Sequence, residues 1–184
     1  MKERFDLDKA HTLIGFSAKH LGVTTVRGSF DEFNGYFEAD RDDLSTATGE
    51  VMIQVASIST KQEQRDAHLR SADFFEAEKY PTITFKLTRV REQDSQTYRV
   101  EGDLTIKETT RPIALEAVFE GETPDPAGGG GTRIGVSALG QVNRMDFGLN
   151  WDGLAGAIPF AGHTIRLQID AELVATPVTA DVGA

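Results

Sequence analysis

Alternation of apolar and polar residues with a period of two is the feature that most constrains this chain. It recurs in short runs separated by turn residues, which is typical of antiparallel sheet and not of helix. In "TITFKLTRV", Ile83, Phe85 and Leu87 alternate with threonine and lysine. Each run has one apolar and one polar face. About eight such runs predict strands, at 14–20, 33–40, 49–57, 82–90, 98–107, 113–121, 133–142 and 163–174.

Eight one-sided strands must bury their apolar faces together, as two packed sheets or as one sheet closed on itself. A closed antiparallel barrel of eight strands is either filled by its own side chains or keeps room for one small ligand. The chain has 11 phenylalanines against 3 tyrosines and 1 tryptophan. These suit a filled core and an apolar ligand cavity equally well, because both faces have the same period.

One segment breaks the alternation. After Thr60, a suitable N-cap residue, the sequence predicts a short helix over about 61–71, and Pro81 restarts a strand. The glycine run 128–131 predicts a mobile turn between two strands. The length of 184 residues fits one domain, predicted here over 1–175, followed by a flexible tail over 176–184.

Composition excludes several classes of protein. The absence of cysteine removes disulfides, thiolate nucleophiles and the usual structural zinc sites. A net charge of −10 disfavours binding to nucleic acid or to anionic lipid surfaces. Charged residues interrupt the first 20 positions where a secretory signal needs an apolar run, and no later stretch reaches membrane-spanning length. The sequence therefore predicts a soluble cytoplasmic protein.

Known catalytic and metal-binding motifs are missing. The glycine run lacks the residues of a phosphate-binding loop, and the acidic run 40–50 fits a solvated hairpin turn better than a calcium loop. The histidines have no ligand spacing, and the serines lie in no nucleophile elbow. We predict no catalytic residue, no metal and no cofactor. The four histidines are His11, His20, His68 and His163.

Several segments together resemble the YceI-like family of polyisoprenoid-binding, lipocalin-like barrel proteins. They cover nearly the whole chain up to about Val174. The combination in this order is specific, although each piece alone is weak. The segments are Asp8 and His11 with "IGFSAKH", then "VRGSFDEFNG", "SISTKQEQRDAHLRSADFFEAEKYPTITF", "GDLTIK" and "RMDFGLN".

The resemblance implies an all-β fold: an extended eight-stranded antiparallel lipocalin-like β-barrel with a short accessory helix, commonly a homodimer. The barrel would hold a long-chain isoprenoid, a quinone or a fatty acyl lipid, with no catalytic residue and no integral membrane segment. One departure is the pair Lys107–Glu108, where the family usually turns through a glycine.

On this basis we predict non-catalytic binding, carriage or sequestration of an apolar lipid. Two alternatives stay open: an enzyme acting on a lipidic or quinone substrate, and a filled barrel that serves as a stress-response interaction module. The predicted lining residues are Phe16, Ala18, Phe30, Phe37, Ile53, Val55, Phe74, Phe75, Phe85, Leu104, Phe119, Phe147 and Trp151. The predicted headgroup contacts are His20, His68, Arg70 and Arg144.

Overall fold

Strands make up most of the computed structural model, which describes residues 2–126, 131–155 and 158–176. The strands are β1 (Lys2–Leu7), β2 (Leu13–His20), β3 (Thr24–Phe30), β4 (Phe33–Asp40), β5 (Asp43–Gln54), β6 (Ile58–Ser59), β7 (Thr82–Glu92), β8 (Thr97–Ile106), β9 (Thr109–Pro124), β10 (Thr132–Asn143), β11 (Leu154–Ala155), β12 (Ile158–Pro159) and β13 (Ala161–Thr176). The described chain also contains one α-helix, α1 (Glu63–Arg70), and 3-10 helices at Val55–Ser57 and Arg144–Phe147.

Eight of these strands form a closed antiparallel barrel, as predicted. Their order is β1-β4-β5-β7-β8-β9-β10-β13, and the ring closes where β1 pairs with the end of β13. The closing register runs from Arg4 opposite Thr176 to Leu7 opposite Leu173. Closure leaves no open sheet edge in this part of the molecule.

The barrel is extended at one end by strands outside the closed ring. The first half of β13 pairs with β2, and β3 and β6 follow in the same sheet. The sheet ends at β6, and α1 lies beside β6. The loop after the helix packs Phe75 and Ala77 against the main hydrophobic cluster. The helix and its loop therefore cover the interior next to β6, outside the closed ring.

Alternation places the apolar faces inside, because successive side chains of a strand point to opposite sides. On β5, for example, Val51 and Ile53 are buried, while Met52 and Gln54 are partly exposed. Of the strands longer than two residues, β1 and β3 were absent from the prediction. In β1 only Phe5 and Leu7 carry the apolar pattern, and in β3 a glycine at position 28 interrupts it.

The helix has the predicted place but a different start. Its N-cap is Gln62 and not Thr60, since the side chain of Gln62 accepts a hydrogen bond from the backbone N–H of Arg65. Lys61 has a positive φ of 61°, which turns the chain away from a helical start at Thr60. Thr60 instead donates from its N–H and its hydroxyl to the buried Asp66, at 2.8 and 2.5 Å.

The turn between β8 and β9 keeps its two-residue length without a glycine. Lys107 adopts a φ of 55°, a region that non-glycine residues rarely occupy. Its ammonium group donates to the carbonyl of Phe74 at 3.2 Å and lies 3.8 Å from a carboxylate oxygen of Glu76. The lysine thereby connects the β8–β9 turn to the loop that follows α1.

Two predictions fall largely outside the described residues. Of the glycine run 128–131 only Gly131 is described, and of the predicted tail 176–184 only Thr176. The glycine run lies between two strands, as predicted, and these strands, β9 and β10, pair with each other. Among the described residues, no helix is long and apolar enough to cross a bilayer.

Candidate functional site

The barrel encloses a cavity of about 1150 Å³. Its wall is built from the inward apolar faces of the strands, together with α1, the loop that follows it, and the segment between β10 and β13. This volume is at the upper end of what small-molecule sites normally offer. A barrel filled by its own side chains would have no such space. The alternative of a filled barrel is therefore wrong in its prediction of a solid core.

Twelve of the thirteen predicted lining residues lie on the cavity wall. They are Phe16, Ala18, Phe30, Phe37, Ile53, Phe74, Phe75, Phe85, Leu104, Phe119, Phe147 and Trp151. The exception is Val55, which is 1 % exposed and starts the 3-10 helix after β5. The strand period ends there, so Val55 packs into the hydrophobic core and does not face the cavity.

Sequence reasoning missed several lining residues. Phe5 and Leu7 lie on the wall because β1 is part of the ring, and their spacing of two was the available signal. Phe160 lies on the wall directly before β13, in a segment whose sequence has no alternation of apolar and polar residues. Arg65 also lines the cavity, on the inner side of α1.

Three wall phenylalanines lie against glycines. A Cβ atom built on each glycine would fall within 2.4 Å of a phenylalanine ring atom, so each ring occupies space that another side chain would fill. The rings therefore lie along the wall and leave the middle of the barrel open. The pairs are Phe16 with Gly28, Phe37 with Gly49, and Phe85 with Gly102.

Aromatic side chains gather at the end of the cavity next to α1. Trp151 lies 4.9 Å from His68 and 5.4 Å from Phe74, measured between ring centroids. Phe160 stacks 6.5 Å from Trp151 on the other side, and His20 stacks 6.3 Å from Phe160. We call these five residues the aromatic end. It combines apolar faces with two imidazoles.

The predicted headgroup residues differ in which of their hydrogen-bonding atoms are available to a ligand in the cavity. His68 lines the cavity and donates from Nε2 to Asp73 at 2.8 Å, and its Nδ1 has no hydrogen-bond partner among the described residues. His20 also lines the cavity and uses Nδ1 on the carbonyl of Phe160 at 3.0 Å. Arg70 lies outside the wall and pairs with Glu63 at 2.6 Å, because it is on the outer side of α1.

Arg144 is a correction to the headgroup prediction. It lines the cavity but is only 3 % exposed, and all five of its N–H groups are used inside the protein. Nε donates to Gly162, Nη1 to Leu149 and Trp151, and Nη2 to Ala161 and to the carboxylate of Asp152, with the last at 3.0 Å. The guanidinium therefore holds the segment 149–162 in place and has no donor left for a ligand.

Arg65, and not Arg144, is the arginine that can contact a polar headgroup at this end of the cavity. Its Nε donates to the hydroxyl of Thr60 at 2.7 Å and its Nη2 to the carbonyl of Thr60 at 2.9 Å. Among the described residues Nη1 has no partner. Arg65 and His68 also line a smaller polar depression outside the cavity, with Gln62 and Gln64. A polar group at this end would therefore meet the Nη1 amino group of the guanidinium and one imidazole nitrogen.

The opposite end of the cavity is bridged by an arginine. Arg41, in the turn between β4 and β5, donates from Nε to Glu3 at 3.0 Å and from Nη1 to Glu122 at 2.6 Å. These contacts connect β1, the β4–β5 turn and β9 across that end. Arg41 and Glu122 both line the cavity, so this end is also polar.

Asp8, His11 and Glu172 converge outside the cavity, close enough for their oxygen and nitrogen atoms to share a metal ion. Arg133 already pairs with both carboxylates, at 2.7 Å for Asp8. This guanidinium, followed by His11, lowers the pKa of Asp8 to about 2. Arg133 also pairs with Asp125, so the group is an ion-pair cluster in which one guanidinium contacts three carboxylates.

The fold and the cavity together define a class: an antiparallel barrel of the lipocalin-like type with an apolar interior and polar groups at both ends. The chain belongs to the YceI-like domain family, whose model matches residues 5–173.

Relatives and solved structures are consistent with this family. The chain is 38 % identical to the UPF0312 protein plu2095 of Photorhabdus laumondii over 81 % of this chain and 76 % of that protein. The fold is similar to Burkholderia cenocepacia BcnA, with a TM-score of 0.77, 20 % identity, and coverage of 93 % of this chain and 100 % of that chain. It is also similar to a polyisoprenoid-binding domain from Saccharophagus degradans, with a TM-score of 0.61, 15 % identity, and coverage of 94 % and 97 %.

Proposed function

We propose that the chain binds a long apolar lipid inside the barrel, to carry or sequester it, and performs no covalent chemistry on it. The observation that carries this proposal is the cavity of about 1150 Å³ with an apolar wall. At ~0.8 kcal/mol per buried methylene, a chain of about twenty carbons gains on the order of ten kcal/mol after ordering costs. No strong polar contact is required.

A long-chain isoprenoid is the ligand class we favour, with quinones and fatty acyl lipids as the other candidates. A structural neighbour is described as a polyisoprenoid-binding domain, and it has the same barrel fold. Phenylalanine rings that pack against the glycines of the wall suit a flexible hydrocarbon chain without hydrogen-bonding groups in its middle. Such a site distinguishes chain length better than chemical identity.

The polar head of the lipid would lie at the aromatic end. Within the part of the chain that the structure describes, Nδ1 of His68 and Nη1 of Arg65 have no hydrogen-bond partner, and both residues line the cavity wall. A guanidinium and an imidazole suit carbonyl, hydroxyl or phosphate oxygens. This would orient the chain with its tail toward Arg41.

Native mass spectrometry of the purified protein, followed by organic extraction, tests the proposal directly. We expect a bound species of a few hundred daltons, on the order of a twenty-carbon chain, that is released as a prenyl, quinone or acyl compound. An empty protein that also takes up no added prenyl or acyl lipid would contradict the proposal. Turnover of the bound lipid would favour the enzyme alternative.

Phe85→Glu should abolish lipid uptake, because a carboxylate on the wall beside an alkyl chain would be desolvated. Uptake is measured by native mass spectrometry after incubation with a prenyl alcohol. Lys86→Glu is the matched control, since Lys86 is the next residue on β7 and is exposed on the outer face. A folded Phe85→Glu protein with unchanged uptake would show that this face does not line the ligand site.

The homodimer and the cytoplasmic location stay predictions. Sedimentation of the purified protein measures the first, and fractionation of the source cells measures the second.

A further inference from the structure

A patch of exposed apolar side chains lies at the aromatic end of the barrel. Val23 is 77 % exposed, Leu154 56 %, Ile158 51 % and Phe160 38 %. We call these four residues the rim patch. They are four of the seven large hydrophobic residues that are exposed in the described chain. Large apolar residues concentrated at one site mark a surface that meets something other than water.

The rim patch comes from two neighbouring turns. Val23 lies in the turn between β2 and β3, and the backbone N–H of Leu21 in that turn donates to the carbonyl of Phe160 at 3.2 Å. Phe160 follows the β11–β12 hairpin, which carries Leu154 and Ile158. The hydrogen bond therefore joins both turns at one end of the molecule.

The rim patch is continuous with the interior. Phe160 is exposed and also lines the cavity, and its ring stacks on Trp151 inside. An apolar chain leaving the cavity at this end would pass from the aromatic rings onto Phe160 and the rest of the patch, alongside the polar groups of His68 and Arg65. This continuity is specific to the aromatic end, because Arg41 and its two glutamates bridge the other end.

The rim patch is electrically neutral. Residues 21–25 contain no charged side chain, and Asp152 is the only one in 151–160. Asp152 is compensated by the buried Arg144 at 3.0 Å and contacts His163 at 3.3 Å. The patch thus stands out on a chain with a net charge of −10. Burying it desolvates no uncompensated charge in these turns.

We propose that the rim patch is a membrane-docking surface, which inserts shallowly into a bilayer of electrically neutral lipids so that lipid passes between bilayer and cavity. The proposal rests on the proposed function, since it concerns entry to the same cavity. A long apolar chain is poorly soluble, so contact with the bilayer shortens its path through water. Neutral lipids fit because the patch has no basic cluster to attract anionic ones.

A bilayer is also a better occupant than a protein partner. A standard protein interface covers roughly 800 Å² on each side, which four partly exposed side chains at two turns do not reach. Shallow insertion of a few apolar side chains, in contrast, is sufficient for reversible membrane attachment.

Flotation of the full chain with phosphatidylcholine vesicles tests the proposal. Val23→Asp and Ile158→Asp should each lower the vesicle-bound fraction, and the rate at which a pyrene-labelled long-chain alcohol moves from vesicles to protein, on the order of ten-fold. Leu139→Asp is the matched control, because Leu139 is 61 % exposed on β10, a strand that carries no part of the rim patch. High salt should not weaken attachment, and added phosphatidylglycerol should weaken it.

The same alcohol delivered from cyclodextrin separates docking from binding. We expect both rim variants to take it up as well as the unmodified protein, which also shows that they fold. Uptake that fails in every protein would overturn the proposed function, while flotation would still report on the rim patch. Rim variants that float and transfer like the unmodified protein would overturn the docking proposal. So would variants that only turn a dimer into monomers, because a second copy would then cover the patch.

Discussion

A single buried guanidinium organises the aromatic end. Arg144→Lys keeps the charge but provides three donors on one atom in place of a planar fork of five. We expect a loss of about 2 to 3 kcal/mol in the free energy of unfolding, because several buried carbonyls lose their partner. Urea denaturation measures it. Arg166→Lys, at an exposed position of β13, should change stability by less than about 0.5 kcal/mol. Equal effects at both positions would contradict the structural role of Arg144.

Two of the three site residues that sequence reasoning misjudged lie where the strand period ends, and the third, Arg70, lies on α1. Val55 and Arg144 each begin a 3-10 helix, in which alternation no longer reports which side chain faces inward. Phe85 and Leu104 lie within long strands, so their inward position followed from the pattern alone. The partners of Arg144 come from the following 18 residues, and no periodicity indicates such local carbonyl acceptors.

At the scale of strand pairs, contacts between rings and glycines set the width of the cavity. A Cβ on Gly102 would lie 2.3 Å from Cζ of Phe85 and 2.7 Å from the carbonyl of Lys86. Gly102→Ala should therefore push the ring into the barrel, lower lipid affinity on the order of ten-fold and cost about 1 to 3 kcal/mol of stability. Titration with a fluorescent prenyl or acyl lipid and urea denaturation measure the two effects.

Two further variants distinguish the effect of the contact with the Phe85 ring from that of the contact with the Lys86 carbonyl. Combining Gly102→Ala with Phe85→Leu should recover part of the affinity, because the ring that must move is gone. Gly135→Ala on β10 is the control, since its added Cβ meets no aromatic ring, and its contacts are Cβ of Glu120 at 3.3 Å and the carbonyl oxygen of Gly121 at 4.0 Å. No recovery in the double variant would show that the strand backbone, and not the ring, responds to the change.

The long strands of the ring were predictable because each carries its own alternation of apolar and polar residues. The strand that closes the ring, β1, carries only a weak alternation. β1 supplies two strong apolar residues in six, and yet it closes the ring against β13. The space inside was not predictable either, because a wall and a filled core have the same period. The resemblance to a family of binding barrels, and not the pattern, indicated a cavity.

At the scale of the whole molecule, one ion-pair cluster holds the seam where the barrel closes. Arg133 on β10 pairs with Asp8, directly after β1, and with Glu172 on β13, so it links three neighbouring strands at the point of closure. The pKa of Asp8 is lowered from 3.8 to about 2, chiefly by Arg133. A carboxyl group with a lowered pKa in the folded state stabilises the protein above its unfolded pKa, and this contribution is lost as pH falls through the folded value.

Stability should therefore decline between about pH 4 and pH 2 partly through Asp8, by on the order of 1 kcal/mol because the site is partly open to solvent. Asp8→Asn should lower stability at neutral pH by that amount and flatten the decline, since the amide does not titrate. Urea denaturation at a series of pH values measures both. Asp42→Asn, an exposed substitution in the β4–β5 turn, should leave the pH profile unchanged. If Asp8→Asn kept the full acid-dependent loss, the seam would not depend on this ion pair, and closure would rest on backbone pairing and apolar packing alone.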